Sequence, residues 1–177
     1  MTDSYEKALT LATWAHADQK RKDDQDYITH PVAVADRFKD ESHKCASVLH
    51  DTWEDCRDKI KDAKLYYEYE MSSDVTKAIF IVSKKWEVRE NYFDFIMRIV
   101  DGSSVDYTEY DLMALRVKLA DLEHNMSDLN EGSMKDKYRF ARQMIIESLD
   151  SNTLPDKEMK IWKGEFSYHK QFQGENK

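Results

Sequence analysis

Between positions 112 and 129 the apolar residues return at steps of three and four: Leu112, Leu115, Leu119, Leu122, Met126 and Leu129. That is the period of an α-helix with one buried stripe. A stripe of this length must be covered by other apolar helical faces, and the chain supplies them. Ala8, Leu11, Ala12, Trp14 and Ala15, then Val75, Ala78, Ile79 and Val82, then Tyr138, Ala141, Met144, Ile145 and Leu149 repeat the spacing. Only four glycines and two prolines are available to make turns, which argues against an all-β fold. The fold class expected is all-α, a bundle of roughly six to eight helices.

The expected elements follow in order. A helix over 4–19 is capped by Asp3 or Ser4. A polar loop holds Asp23, Asp24, Gln25 and Asp26. A helix begins at Pro31, where a missing N–H costs nothing, with His30 just before it. Ser42 caps a helix over 44–54. Residues 57–70 are helix-prone and carry Tyr66, Tyr67 and Tyr69. Ser72 or Ser73 caps a helix over 74–84, and further helices cover 90–100, 109–129 and 134–149, the last two separated at Gly132 and Ser133. From Ser151 onward the chain is polar, with Trp162, Phe166, Tyr168 and Phe172 spread through it, and is expected to be an arm or partner-binding tail.

The balance of charge narrows the function classes. A net charge of −8 disfavours a nucleic-acid binder, although a local basic cluster or a metal could still hold an anionic small molecule. Two cysteines, Cys45 and Cys56, make neither a disulfide framework nor a paired zinc motif. The start of the sequence has no apolar signal-peptide core, and no apolar run is long enough to span a membrane. The expected location is cytoplasmic.

Asp121, Asn125 and Asp128 recur along the 109–129 helix on a face away from the stripe, with His124 beside them. Taken alone this is an ordinary solvated face. His30, the doublet His50–Asp51 and Asp121 are nevertheless residue types that a divalent transition metal takes: imidazoles together with carboxylates that offset its charge. Each falls on a different expected helix, as ligands converging inside a bundle do. Glu54 and Asp55 lie one turn past the doublet, where a carboxylate could orient or deprotonate water. Spacing by itself leaves a bland reading open for each, as a helix-start histidine, a polar helix end and solvated charge.

Three segments, taken together, resemble the HD-domain phosphohydrolases, in particular the RelA/SpoT-type alarmone hydrolase branch. They are His16-Ala-Asp-Gln-Lys-Arg-Lys22 with Tyr27-Ile-Thr-His-Pro-Val-Ala-Val-Ala35, then Val48-Leu-His-Asp-Thr-Trp-Glu-Asp55, then Val117-Lys-Leu-Ala-Asp-Leu-Glu-His-Asn-Met126. Order and separation match as well, over about residues 5 to 130. The resemblance implies that residues 1–150 form an HD hydrolase domain, with 151–177 appended. It implies metal ligation by His30, His50, Asp51 and Asp121, usually of Mn2+, another divalent transition metal being an alternative. It implies activation of water by Glu54 and Asp55, contact of Asn125 with the nucleotide, packing of Arg21 on the purine with Lys22 beside it, and a pocket wall at Tyr27. Asp128 is expected at the substrate rim. The implied reaction removes the 3′ pyrophosphate from the guanosine alarmones (p)ppGpp. The implied partner is a small nucleotide, with no nucleic acid and no membrane, and a homo-oligomer is permitted. A chain of 177 residues has no room for a synthetase domain beside this one, so hydrolysis alone is expected.

The chain also departs from the family pattern. Its loop before Tyr27 is acidic, Asp18 stands where glycine is common, Asp128 where the long members tend to have threonine, and Leu122-Glu123 replaces an Arg-Leu pair. Another nucleotide substrate therefore stays open: an adenosine alarmone, a nucleoside monophosphate or a phosphorylated dinucleotide. So does a catalytically silent nucleotide- or protein-binding module, although such a module would have no need of Glu54 and Asp55. His16 and His43 are read as structural or exposed, His124 as supporting the metal site, Arg89 and Arg98 as surface charges, and the cysteines as inert thiols with no histidine partner.

Overall fold

The computed structural model describes residues 3–60, 70–85, 88–102 and 107–152. Among these are eight helices: α1 (Tyr5–Ala15), α2 (Thr29–Ala35), α3 (Glu41–Leu49), α4 (Thr52–Asp55), α5 (Ser73–Val82), α6 (Tyr92–Asp101), α7 (Glu109–Ser127) and α8 (Ser133–Asn152). The described residues hold no β-strand, only an isolated bridge between Lys20 and Asp26. Tyr66, Tyr67, Tyr69 and the expected arm beyond Asn152 lie outside the described residues.

Helix α7 is the shared wall of two cores. One face, with Met113, Ala114, Val117 and Ala120, packs with α1, α2, α3 and α5. The opposite face, with Leu112, Leu115, Leu119 and Leu122, packs with α6 and α8. The sequence stripe is thus half of the buried surface. A helix apolar on two sides is one that the rest of the chain surrounds. Met126 and Leu129, the end of the stripe, are only half-buried.

Side chains at the helix starts set the boundaries. Ser4, Ser72 and Asn91 accept the backbone N–H three residues on at α1, α5 and α6. Thr108 and Asp111 form a capping box at α7. Asp3 does not cap α1; its carboxylate accepts from Ser42 Oγ and from the Ser72 amide and hydroxyl, tying the start of α1 to α3 and α5. Helix α3 starts earlier than expected because Asp40, not Ser42, accepts the His43 amide. It also ends earlier, at Leu49, and the chain re-enters a short turn, α4, at Thr52. Pro31 is the third residue of α2 rather than the first, still within the turn whose N–H groups have no helical acceptor.

Two readings of charged residues change. Arg98 is no surface charge: it donates to the Ile81 and Ser83 carbonyls and pairs with Glu90, closing the end of α5 against α6. Glu123, one of the residues that depart from the family pattern, accepts from Arg37 on one side and Arg142 on the other. It is used to fasten α7 to α2 and α8.

Candidate metal centre

The break between α3 and α4 places His50 and Asp51 outside regular helix, turned towards α2 and α7. His50 is fully buried, and its Nδ1 lies 2.6 Å from the Ser47 carbonyl. A carbonyl only accepts, so Nδ1 carries the proton and Nε2 presents its lone pair inward. That Nε2 is buried and makes no hydrogen bond. His30 on α2 is also buried; its Nδ1 meets His124 Nδ1 at 2.8 Å, which leaves Nε2 facing the same point.

One ligand atom each from His30, His50 and Asp51 lies within 4.8 Å of the others. Asp121 completes the group from α7. Its Oδ1 is 3.2 Å from His30 Nε2 and 3.5 Å from His50 Nε2. Two inward nitrogens with their outer nitrogens engaged, one of them an orphaned buried Nε2, and two carboxylates form a donor set that suits a divalent transition metal.

Each carboxylate has one oxygen held by a neighbouring donor. Lys118 Nζ donates to Asp121 Oδ2 at 2.8 Å, and Tyr27 Oη donates to Asp51 Oδ2 at 2.8 Å. Asn125 Nδ2 donates to Asp121 Oδ1 at 2.6 Å. Asn125 therefore braces the aspartate through its amide nitrogen. Burial opposes ionisation of both aspartates. Lys118, with His30 and His50, overcomes it at Asp121, and His50 with His30 overcomes it at Asp51, so both carboxyls lie well below the usual range. Burial likewise works against charging His30, yet its bonds to Asp121 and Asp51 raise it to about 9.

The acidic pair sits at the rim. Glu54 Oε2 accepts the Lys84 amide at 2.8 Å, fixing it against the end of α5. Asp55 Oδ2 lies 3.3 Å from Tyr27 Oη. Burial raises both carboxyls, and for Asp55 the neighbouring Asp51 charge adds to it. Carboxylates raised in this way are suited to taking a proton near neutral pH.

Further out, Arg21 Nη2 donates to Asp128 Oδ2, an ion pair across 107 residues of sequence. Lys22 is exposed beside it. The acidic loop is closed on itself. Lys20 bridges to Asp26, the Arg21 amide bonds the Gln25 carbonyl, and Asp24 turns the chain at φ 63°. Lys59 neutralises Asp18.

The sequence reading missed three supports. Lys118 is the one with a local signal, since its place three residues before Asp121 puts the two on one helical face. The hydroxyl of Tyr27 and the amide of Lys84 had no signal, because both arrive from distant segments. Cys56 does have a histidine partner, His16 Nδ1 at 3.5 Å. Burial nevertheless raises its thiol to about 11, so it is no nucleophile. His16 is structural, buried between Gln19 and Thr52.

No family model matches the chain. Curated relatives do. It is 33% identical over 146 residues, 77% of its own length, to a probable guanosine-3′,5′-bis(diphosphate) 3′-pyrophosphohydrolase of Synechocystis sp.. It is 30% identical over 148 residues to the bifunctional (p)ppGpp synthase/hydrolase SpoT of Escherichia coli, and 32% identical over 148 residues to a GTP pyrophosphokinase rsh of Brucella ovis, 78% of the chain in both. The chain spans about a fifth of the length of these relatives, which it covers to 18%, 20% and 18%. Among solved structures, its fold is that of a metazoan ortholog of SpoT that hydrolyses ppGpp, with a TM-score of 0.63 at 20% identity, over 84% of this chain and 86% of that one. The helical fold and the kinship expected from the three sequence segments both hold.

Proposed function

We propose that this chain, kin over most of its length to (p)ppGpp hydrolases and synthases, is a metal-dependent pyrophosphohydrolase that removes the 3′ pyrophosphate of guanosine alarmones. The observation that carries the reading is the convergence of His30, His50, Asp51 and Asp121 beside Glu54 and Asp55. Those four residues would hold the ion, with Mn2+ the first choice. When bound, a divalent metal offsets phosphate charge and lowers the pKa of water in the site. Glu54, anchored by the Lys84 amide, and Asp55 take the proton of the attacking water. The water oxygen bonds to the phosphorus next to the 3′ oxygen, that P–O bond breaks, the proton taken from the water passes to the 3′ oxygen, and pyrophosphate departs from a free 3′ hydroxyl. Arg21 and Lys22 present cations at the rim for the nucleotide, with Asn125 and Asp128 beside them.

Asp128 favours a second reading. It stands at the rim and already holds Arg21, so the purine side is altered and another purine nucleotide could be taken. The assigned setting is cytoplasmic, on a free nucleotide rather than nucleic acid; among the described residues no helix is long and apolar enough to cross a membrane. Residues 1–150 would act as the hydrolase domain. The deciding experiment is a product assay with Mn2+ against guanosine and adenosine phosphates. Release of pyrophosphate from guanosine tetraphosphate is the expected result. Turnover only of adenosine substrates would select the second reading, and no turnover of any would sink both.

A further inference from the structure

The resemblance puts Tyr27 on the wall of a base pocket, but its hydroxyl is committed elsewhere. It donates to Asp51 Oδ2 at 2.8 Å and lies 3.3 Å from Asp55 Oδ2. One O–H therefore stands between a metal-site carboxylate and a member of the acidic pair. The ring behind it is placed by two histidines. It stacks on His16 at 4.8 Å with the planes 28° apart, and it meets His30 edge-on at 6.1 Å. His16 is itself held, Nδ1 by Gln19 and Nε2 by Thr52 Oγ1. The Tyr27 amide bonds the Gln19 carbonyl, and its own carbonyl accepts from His30.

Asp51 needs such a restraint because of where the chain breaks. It occupies the cap position of α4, where an aspartate ordinarily accepts a backbone N–H of the first turn. Here that hydrogen bond is not made, and the carboxylate is turned into the site instead. Asp121 has Lys118 and Asn125 to fix it; the hydroxyl that fixes Asp51 comes from Tyr27.

We infer that Tyr27 is a positioning residue for the metal centre: its hydroxyl orients Asp51 for the ion and links Asp55 to it, with His16 as the platform under the ring. This rests on the hydrolase reading only through the metal site. The test is calorimetric titration of Mn2+ alone into the metal-free full chain, beside steady-state kinetics on guanosine tetraphosphate. Tyr27→Phe keeps the ring and its stack. It is expected to bind Mn2+ roughly 10–100-fold more weakly, with kcat falling and KM little changed. Thr52→Val, which frees His16 without touching the carboxylates, is expected to weaken Mn2+ in the same direction by less. Unchanged Mn2+ affinity in Tyr27→Phe with a raised KM would overturn the inference and return Tyr27 to the pocket wall. A wild-type chain that binds no Mn2+ would remove the metal site itself, and this role with it.

Discussion

His30 and His124 face each other through their Nδ1 atoms at 2.8 Å. One must donate and the other accept. If His30 offers Nε2 to a metal, its Nδ1 carries the proton and His124 accepts, which requires His124 to be neutral. Burial first, and the charge of His30 next, lower the pKa of His124, in keeping with that assignment. His124→Phe removes the acceptor and keeps a ring. It should weaken Mn2+ binding by about 10–100-fold while the helical spectrum is kept. Calorimetry checks this; an unchanged affinity would mean that His124 is only packing.

Asp121 and Lys118 form a buried pair, so their single variants should not behave alike. Asp121→Ala leaves the Lys118 ammonium buried without its partner and should cost on the order of 3–5 kcal/mol. Asp121→Ala with Lys118→Met should regain most of that stability, still without metal. Denaturant unfolding of the two metal-free variants measures the difference. Equal stabilities would show that Lys118 finds water in place of Asp121.

Glu54 is held by the end of α5 and is not one of the four ligand residues, so it should separate chemistry from binding. Glu54→Gln is expected to hold Mn2+ as the wild type does and to lose about 10²–10⁴ in kcat. Because burial raises its carboxyl, and that of Asp55, the acid limb of the wild-type rate should fall above the ordinary glutamate range. A limb at about 4.3 would sink the assignment of a buried base.

Metal removal should change how stability depends on pH. In the metal-free protein His30 is raised from 6.5 to about 9 by Asp121 and Asp51, against its burial. A raised folded-state pKa means that protonated His30 stabilises the fold. That contribution is complete below pH 6.5, declines as pH rises and is gone above about 9. Mn2+ needs the imidazole neutral, so its affinity should climb over the same interval. Thermal melts in chelator and in Mn2+ at several pH values test it: the gap between them should widen towards pH 9. A gap that narrows would contradict it.

Much was legible in the chain because it is local. The 3.6-residue periods marked α1, α5, α7 and α8. Ser72 and Ser4 announced their helices, and the pattern of His30, His50–Asp51 and Asp121 marked the residues that meet. Local signals failed where a distant segment decides. Ser42 is as good a cap as Asp40 on paper, but Asp3 claims its hydroxyl. Arg98 looks like any surface arginine until the Ile81 and Ser83 carbonyls come within its reach.

Sequence by itself determined the helical class, because helical period is a property of short stretches, and the resemblance of three segments marked the residues that meet at the centre. Tertiary structure alone decided that α7 is buried on two faces, that Lys118 and Tyr27 each hold an oxygen of Asp121 and Asp51, and that Asp128 reaches across to Arg21. Those contacts depend on which faces of which helices meet. That choice is made by packing the whole core, where burial favours one arrangement over every local alternative.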